Sequence, residues 1–193
     1  MNLPNVLTIG RILVTPLFII LLFYDYPYAK SWALLIFVIA MLTDIFDGYY
    51  ARKYNLVTDY GRFLDPLADK VMVLSALISF AVMDVIPYWM VSLIIFRDLF
   101  VTGLRMAMSS RNKTMVTSRI AKRKTLSQVL IIIFILFNIG FSSLSISWIG
   151  EVILFSKKYE LIYYCTFLVT VFTVFTGFTY LYTNRSVIRK FIF

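Results

Sequence analysis

Six long apolar stretches, separated by short polar connections, follow one another along this sequence. They cover roughly residues 6–24, 32–50, 63–83, 86–108, 126–149 and 161–183. A helix needs about 20 predominantly apolar residues to cross the hydrocarbon core of a bilayer, and each stretch meets that length. The pattern therefore predicts an all-α integral membrane bundle of six transmembrane helices.

The composition supports a membrane protein throughout the chain. Of the 193 residues 61% are hydrophobic and 15% are charged, and the mean hydropathy is +0.85. A soluble domain of this length carries far more charge. The remaining residues are too few for a second domain, so we expect one membrane-embedded domain over residues 1–193.

The basic residues indicate the orientation of the bundle. Of nineteen Lys and Arg residues, only Lys30, Lys157 and Lys158 fall in the first, third and fifth connections. The positive-inside rule then places both termini in the cytoplasm. A net charge of +9 beside the membrane favours contact with anionic lipid headgroups, and nucleic acid is not expected as a partner of so apolar a chain.

Four aspartates lie where the second and third apolar stretches meet a short polar link. Asp44 and Asp47 are three residues apart, and Asp65 and Asp69 are four apart, so each pair shares one face of a helix. Four carboxylates held together repel one another unless cations lie among them. Hard oxygen ligands without Cys or His suit Mg²⁺ or Mn²⁺. The spacing predicts a site for one or two divalent cations.

Two glycines and an arginine accompany these aspartates. Gly48 follows Asp44 by one turn and Gly61 precedes Asp65 by one turn, which leaves room for a ligand against each helix. Arg52 supplies a forked donor suited to phosphate. The alternative is a solvated cytoplasmic loop in which basic residues neutralise the aspartates. Those residues are Arg52, Lys53, Arg62 and Lys70.

The fourth apolar stretch carries Arg97, Asp98 and Arg105, and such intramembrane charges face the protein interior or a watery cavity. One interpretation is an ion pair between Asp98 and one of the two arginines, with no ligand bound. The other is an anion site on the cytoplasmic half, continued by the basic link and by the polar start of the fifth stretch. A helix N-terminus with lysines and a hydroxyl is suited to phosphate.

The N-terminal segment has two interpretations as well. Pro4 and Asn5 are typical of a helix start, with Arg11 extending to the lipid headgroups. Alternatively Asn5, Thr8 and Arg11, three residues apart, form a polar face directed at a nucleotide or its phosphates. The chain has no histidine, so a general base must be a carboxylate, lysine or tyrosine.

The aspartate segment resembles the signature of the CDP-alcohol phosphotransferases, which are integral membrane enzymes of phospholipid synthesis. The pattern D-x2-D-G-x2-A-R-x8-G-x3-D-x3-D is present in full. Its positions are Asp44, Asp47, Gly48, Ala51, Arg52, Gly61, Asp65 and Asp69. The resemblance implies a cytoplasm-facing polar active-site cavity, a bacterial plasma membrane and a homodimer.

Further elements resemble the phosphatidylglycerophosphate synthases of that family. The opening P-N-x2-T-x2-R is similar to theirs and favours the nucleotide-directed interpretation of the N-terminal face. Residues 97–128 are similar to their R-[ED] and S-x2-G-K-x-K-T-x2-Q elements, with Ala121 in place of the glycine and Asp98 in place of the glutamate. This resemblance implies an acceptor that carries its own phosphate. The expected phosphate-binding residues are Arg97, Arg105, Lys122, Lys124, Thr125 and Gln128.

The resemblance implies transfer of a phosphatidyl group from CDP-diacylglycerol to the hydroxyl of sn-glycerol 3-phosphate, with release of CMP. Asp44, Asp47 and Asp65 hold the metal, and Asp69 shares in that coordination and acts as general base. The CDP-lipid is expected to contact Asn5, Thr8, Arg11, Gly48, Ala51, Arg52 and Gly61. Inositol phosphate is the competing acceptor. A divalent-cation transporter and a non-catalytic membrane scaffold are the alternatives from other classes.

Overall fold

The computed structural model describes the backbone of residues 3–53, 59–109, 119–142, 147–185 and 187–188. Side chains are described for residues 10–43, 70–108, 123–142, 148–185 and 187–188. These residues form seven α-helices and no strand. The helices are α1 (Leu3–Phe23), α2 (Ala29–Lys53), α3 (Asp59–Val82), α4 (Tyr88–Ser109), α5 (Arg119–Phe141), α6 (Ser147–Lys158) and α7 (Leu161–Thr183). The prediction of an all-α protein is confirmed.

The fifth predicted segment, residues 126–149, was wrong at its C-terminal end. Helix α5 ends at Phe141, and a separate helix of 12 residues, α6, begins at Ser147. The Ser142 hydroxyl donates a 2.9 Å hydrogen bond to the Ile139 carbonyl, and serines recur up to Ser147. Serine hydroxyls compete with the helical hydrogen-bond ladder, and four of the six residues 142–147 are serines, so this stretch of the apolar run has a low helix propensity.

The core is formed by the inner faces of α1 to α5. Phe18 of α1 and Phe37 of α2 pack with their ring centroids 5.8 Å apart, and Phe80 of α3 and Ile135 of α5 are fully buried in the same cluster. Helix α7 packs against α4 and α5, while α6 packs against α5 and α7. This packing places α3, α4, α5 and α7 around one polar region.

Helices α2 and α5 approach closely at Gly140. The Ser31 hydroxyl donates a 2.7 Å hydrogen bond to the Gly140 carbonyl. A Cβ atom at Gly140 would lie 3.2 Å from the carbonyl oxygen of Lys30, which is closer than most side chains can tolerate. The absence of a side chain at this position therefore sets the spacing of the two helices.

The outer surface of the bundle is apolar. Leu13 on α1, Phe96 on α4 and Phe178 on α7 are about 70% exposed, and many other large apolar side chains are exposed beside them. Contiguous apolar surface of this extent marks a membrane-facing protein. By length and composition, two helical stretches in the described chain are able to cross a membrane: Arg123–Phe141 and Leu161–Thr183. Shorter apolar helical stretches cover Gly10–Phe23, Ala29–Thr43 and Lys70–Val82.

Candidate active site

A buried carboxylate, Asp98 of α4, is the centre of the polar region between the helices. Asp98 is only 2% exposed, and its neighbours Lys124 and Gln128 of α5 are 3% and 1% exposed. The Lys124 ammonium contacts both carboxylate oxygens of Asp98. The Gln128 amide nitrogen donates to Asp98 Oδ2 at 3.3 Å. Because Lys124 and Gln128 are four residues apart, one face of α5 supplies both donors.

Two further cations join this arrangement from α3 and α4. Arg97 donates from Nη1 to Asp98 Oδ1 at 3.1 Å. The Lys70 ammonium donates to the backbone carbonyl of Asp98 at 2.9 Å and contacts the Thr102 hydroxyl. We call Lys70, Arg97, Asp98, Lys124 and Gln128 the Asp98 cluster. It joins α3, α4 and α5 through charged groups in an otherwise apolar bundle.

The pairing explains how charged residues are accommodated here. An isolated charge inside a protein is destabilising by several kcal/mol, so buried charges are found in pairs with good hydrogen-bond geometry. Asp98 and Thr102 lie one helical turn apart on α4, which aims both at the neighbouring helices α3 and α5. The structure shows an ion pair between Asp98 and Arg97, and Lys124 is a second partner of Asp98 that the sequence did not predict. The anion site at these residues stays a prediction.

The side chains of the Asp98 cluster have more N–H donors than there are hydrogen bonds to the Asp98 carboxylate. An arginine has five N–H donors and a lysine has three. Among the described contacts, Lys124 directs donors at the two Asp98 oxygens, and Arg97 directs one donor at Asp98. The Arg97 Nε atom is buried and donates to no described group. The arrangement can therefore present oriented cationic donors to an anion while Asp98 holds them in place.

The other predicted phosphate-binding residues are distributed around this cluster. The guanidinium of Arg105 lies over the ring of Tyr180 of α7, 5.7 Å from its centroid, and the side chain is exposed. Thr125 is exposed on the first half of α5. Lys122 lies in α5, and its side chain is outside the described residues. The structure thus brings Arg97, Lys124 and Gln128 together at Asp98 and keeps Arg105 beside α7.

The motif aspartates lie on helical backbone in α2 and α3. Asp44 and Asp47 belong to α2, and Asp65 and Asp69 belong to α3; their side chains are outside the described residues. The same holds for Gly48, Ala51, Arg52 and Gly61. The helical register puts the members of each aspartate pair on one face, as the spacing predicted. A set of hard carboxylate oxygens fits Mg²⁺ or Mn²⁺.

The N-terminal residues belong to the first half of α1. Arg11 is buried at 6% exposure, which fits a side chain directed into the bundle better than one extending to lipid headgroups. The Thr15 hydroxyl donates to the Arg11 carbonyl at 2.9 Å. Asn5 and Thr8 lie in the same helix, and their side chains are outside the described residues.

The helical architecture, the apolar exterior and the buried charged cluster together define an integral membrane protein of the all-α class. The sequence profile of the CDP-alcohol phosphatidyltransferase family matches residues 1–172. The chain belongs to this family.

Curated relatives carry a more specific name. A Bacillus subtilis protein named CDP-diacylglycerol--glycerol-3-phosphate 3-phosphatidyltransferase is 40% identical over 157 residues, which is 75% of this chain and 81% of that protein. A Rickettsia typhi protein of the same name is 37% identical over 180 residues, covering 93% of this chain and 94% of that protein. The resemblance stated from the sequence motifs is confirmed.

Several residues of the polar region were not predicted as site residues, among them Asp98 and Thr102 of α4. Lys70 was interpreted only as a neutralising charge. Thr176, Gly177 and Tyr180 belong to α7, whose sequence offered only apolar character. A spacing signal exists in retrospect, because small or polar residues recur along one face of α7. That signal identifies a packing face and does not specify what the face contacts.

Proposed function

We propose that this protein transfers the phosphatidyl group of CDP-diacylglycerol to the hydroxyl of sn-glycerol 3-phosphate, giving phosphatidylglycerol phosphate and CMP. The observation that carries the proposal is the near full-length match to relatives of that name, together with an intact aspartate motif. The Asp98 cluster adds a chemical argument, since it holds oriented cationic donors within the bundle.

In the proposed reaction, Asp44, Asp47 and Asp65 hold one or two Mg²⁺ or Mn²⁺ ions, and Asp69 shares in their coordination. A bound divalent cation supplies charge stabilisation to the diphosphate as CMP leaves. Asp69 also takes the proton from the acceptor hydroxyl. The acceptor oxygen forms a bond to the phosphorus of the phosphatidyl group, and the bond from that phosphorus to the CMP oxygen breaks.

The donor lipid is proposed to lie against α2 and the starts of α1 and α3. Gly48, Ala51 and Gly61 allow the cytidine and diphosphate to approach the helix backbone, and Arg52 binds a phosphate. The polar face of α1 completes the donor site. Its members are Asn5, Thr8 and Arg11.

The acceptor phosphate is proposed to bind the cationic residues of α4 and α5. Asp98 orients Arg97 and Lys124, and each of these two side chains has further N–H donors that do not bond to Asp98. A doubly charged phosphate matches such a group of cationic donors inside the bundle, whereas a neutral alcohol does not. The full proposed set is Arg97, Arg105, Lys122, Lys124, Thr125 and Gln128.

We propose a single domain with six membrane spans, formed by α1 to α5 and α7, with both termini in the cytoplasm of a bacterial plasma membrane. Helix α6 is about 18 Å long at 1.5 Å per residue, which is too short to span a bilayer. The cytoplasmic orientation rests on the distribution of basic residues. The homodimer stays a prediction from the family resemblance.

An acceptor panel tests the proposed function. Purified protein with CDP-diacylglycerol and Mg²⁺ is expected to release CMP with glycerol 3-phosphate, and at least about tenfold more slowly with inositol phosphate, serine or no acceptor. Scintillation or mass-spectrometric product analysis identifies the lipid formed. Faster CMP release with inositol phosphate would replace the proposed acceptor. Absence of CMP release with every acceptor would favour the transporter or scaffold alternatives.

A further inference from the structure

The last helix presents a polar, small-residue face to α4 and α5. Its buried residues recur three or four positions apart, with Thr176 directly before Gly177, and therefore form one stripe. They are Thr166, Thr170, Thr173, Thr176, Gly177 and Tyr180. The part of this stripe from Thr176 to Tyr180 contacts the two arginines of α4.

Thr176 is an oriented acceptor for Arg97. Its hydroxyl donates to the Thr173 carbonyl at 2.8 Å, so the hydroxyl proton is directed along α7. The oxygen lone pairs then face α4, where Arg97 Nη2 donates to Thr176 Oγ1 at 3.1 Å. With Nη1 on Asp98, the guanidinium is fixed at both terminal nitrogens by two different helices.

Gly177 provides the space that Arg97 occupies. A Cβ atom at Gly177 would lie 3.0 Å from Arg97 Cγ and 3.4 Å from Arg97 Nε. The Arg97 side chain is only 10% exposed, so it has little room to move away. A methyl group added at Gly177 must therefore shift the Arg97 side chain by a few tenths of an ångström and strain its hydrogen bonds to the two acceptors.

Tyr180 contacts the second arginine of α4, Arg105. Its ring is 2% exposed and lies beneath the guanidinium of Arg105 at 5.7 Å from the ring centroid. An arginine over an aromatic face is held by a cation–π interaction. Arg97 and Arg105 follow one another along α4 in the same order as Gly177 and Tyr180 along α7, so the two helices run in the same direction at this contact.

We infer that Thr176, Gly177 and Tyr180 are positioning residues that fix Arg97 and Arg105 for an acceptor carrying a phosphate. This inference rests on the proposed function and deepens it, because it assigns acceptor selectivity partly to α7. All three residues follow residue 172, the last residue that the family profile matches. Their role comes from contacts across helices and not from the family signature.

A set of single variants of the full-length protein in lipid nanodiscs tests the inference. Gly177→Ala crowds Arg97, and Gly103→Ala on α4 is its matched control because no atom lies within 4 Å of a Cβ there. Thr176→Val removes the acceptor oxygen, and Thr176→Ser retains it. Tyr180→Leu removes the aromatic face, and Tyr180→Phe retains it.

We expect Gly177→Ala, Thr176→Val and Tyr180→Leu each to raise the KM for glycerol 3-phosphate, Gly177→Ala by at least about tenfold, since hydrogen bonds of a charged group are disturbed. The KM for CDP-diacylglycerol is expected to stay within about twofold of wild type. Gly103→Ala is expected to behave like wild type, and the conservative variants Thr176→Ser and Tyr180→Phe are expected to have a lower KM for glycerol 3-phosphate than Thr176→Val and Tyr180→Leu. If Gly177→Ala does not fold, the Thr176 pair provides the same comparison.

Equal changes in both KM values, or a fall in kcat with both KM values unchanged, would overturn the inference and leave a purely structural role for α7. Such a result would leave the proposed function intact, because the wild-type protein would still use glycerol 3-phosphate. Absence of CMP release by wild type with this acceptor would overturn both proposals. The two failures are therefore distinguishable in one experiment.

Discussion

Asp69→Asn is expected to lower turnover by at least about a hundredfold while the protein still binds CDP-diacylglycerol. A positioned general base contributes about 10²–10⁴-fold to a rate, and asparagine has the same shape without the basic oxygen. The other three motif aspartates remain to hold metal and donor, so much of the donor and metal affinity is retained. The measurement is kcat from CMP release beside the dissociation constants for donor and Mn²⁺.

Asp84→Asn is the matched control for this substitution. Asp84 lies exposed in the turn between α3 and α4 with φ of 55°, a conformation that asparagine also adopts readily. The control is expected to retain wild-type kcat and binding. If Asp69→Asn weakened donor and metal binding as much as turnover, Asp69 would be a ligand alone and the assignment of the base would be wrong.

Asp98→Ala is expected to give the largest loss of stability of any single substitution in the polar region. The carboxylate is the shared partner of the Lys124 ammonium and the Arg97 guanidinium, and all three side chains are at most 10% exposed. Removing it leaves two cations facing each other inside the protein, which destabilises by about 3–5 kcal/mol. At about 2–4 °C per kcal/mol for a chain of this length, the thermal midpoint in detergent falls by about 10 °C.

Two further variants separate charge from packing. Asp98→Glu keeps the carboxylate and introduces the glutamate found in the similar R-[ED] element of the synthases. This variant is expected to retain most of the stability. Asp25→Ala removes an exposed aspartate between α1 and α2 and is expected to leave the midpoint unchanged. A midpoint for Asp98→Ala within about 2 °C of wild type would show that Asp98 does not compensate the buried cations.

The sequence was sufficient to predict the helices because a bilayer demands long apolar segments. It failed at the end of α5, where the alternation of apolar residues with serines did not reveal a helix boundary. Helix α5 ends where a serine-rich stretch begins, and hydropathy does not measure the low helix propensity of serine. Hydropathy also could not distinguish the short α6 from the end of a longer span.

The residues of the candidate site were also predictable only in part. Fixed spacing within one or two helices identified the aspartates and the cations of α4 and α5. The partners of those cations depend on which helices pack together. Arg97 and Thr176 are 79 residues apart, and Lys124 and Asp98 are 26 apart, so neither contact follows from local periodicity. The reason for a glycine at position 177 becomes visible only in the structure, where the Arg97 side chain lies against it.

Metal dependence of CMP release is the most direct test of the central claim, which is that the motif carboxylates act through bound divalent cations on a nucleotide-activated lipid. We expect protein treated with EDTA to lose CMP release from CDP-diacylglycerol and glycerol 3-phosphate, and added Mg²⁺ or Mn²⁺ to restore it. Asp44→Asn is expected to require a higher metal concentration for the same rate. Undiminished CMP release in chelator would contradict the account.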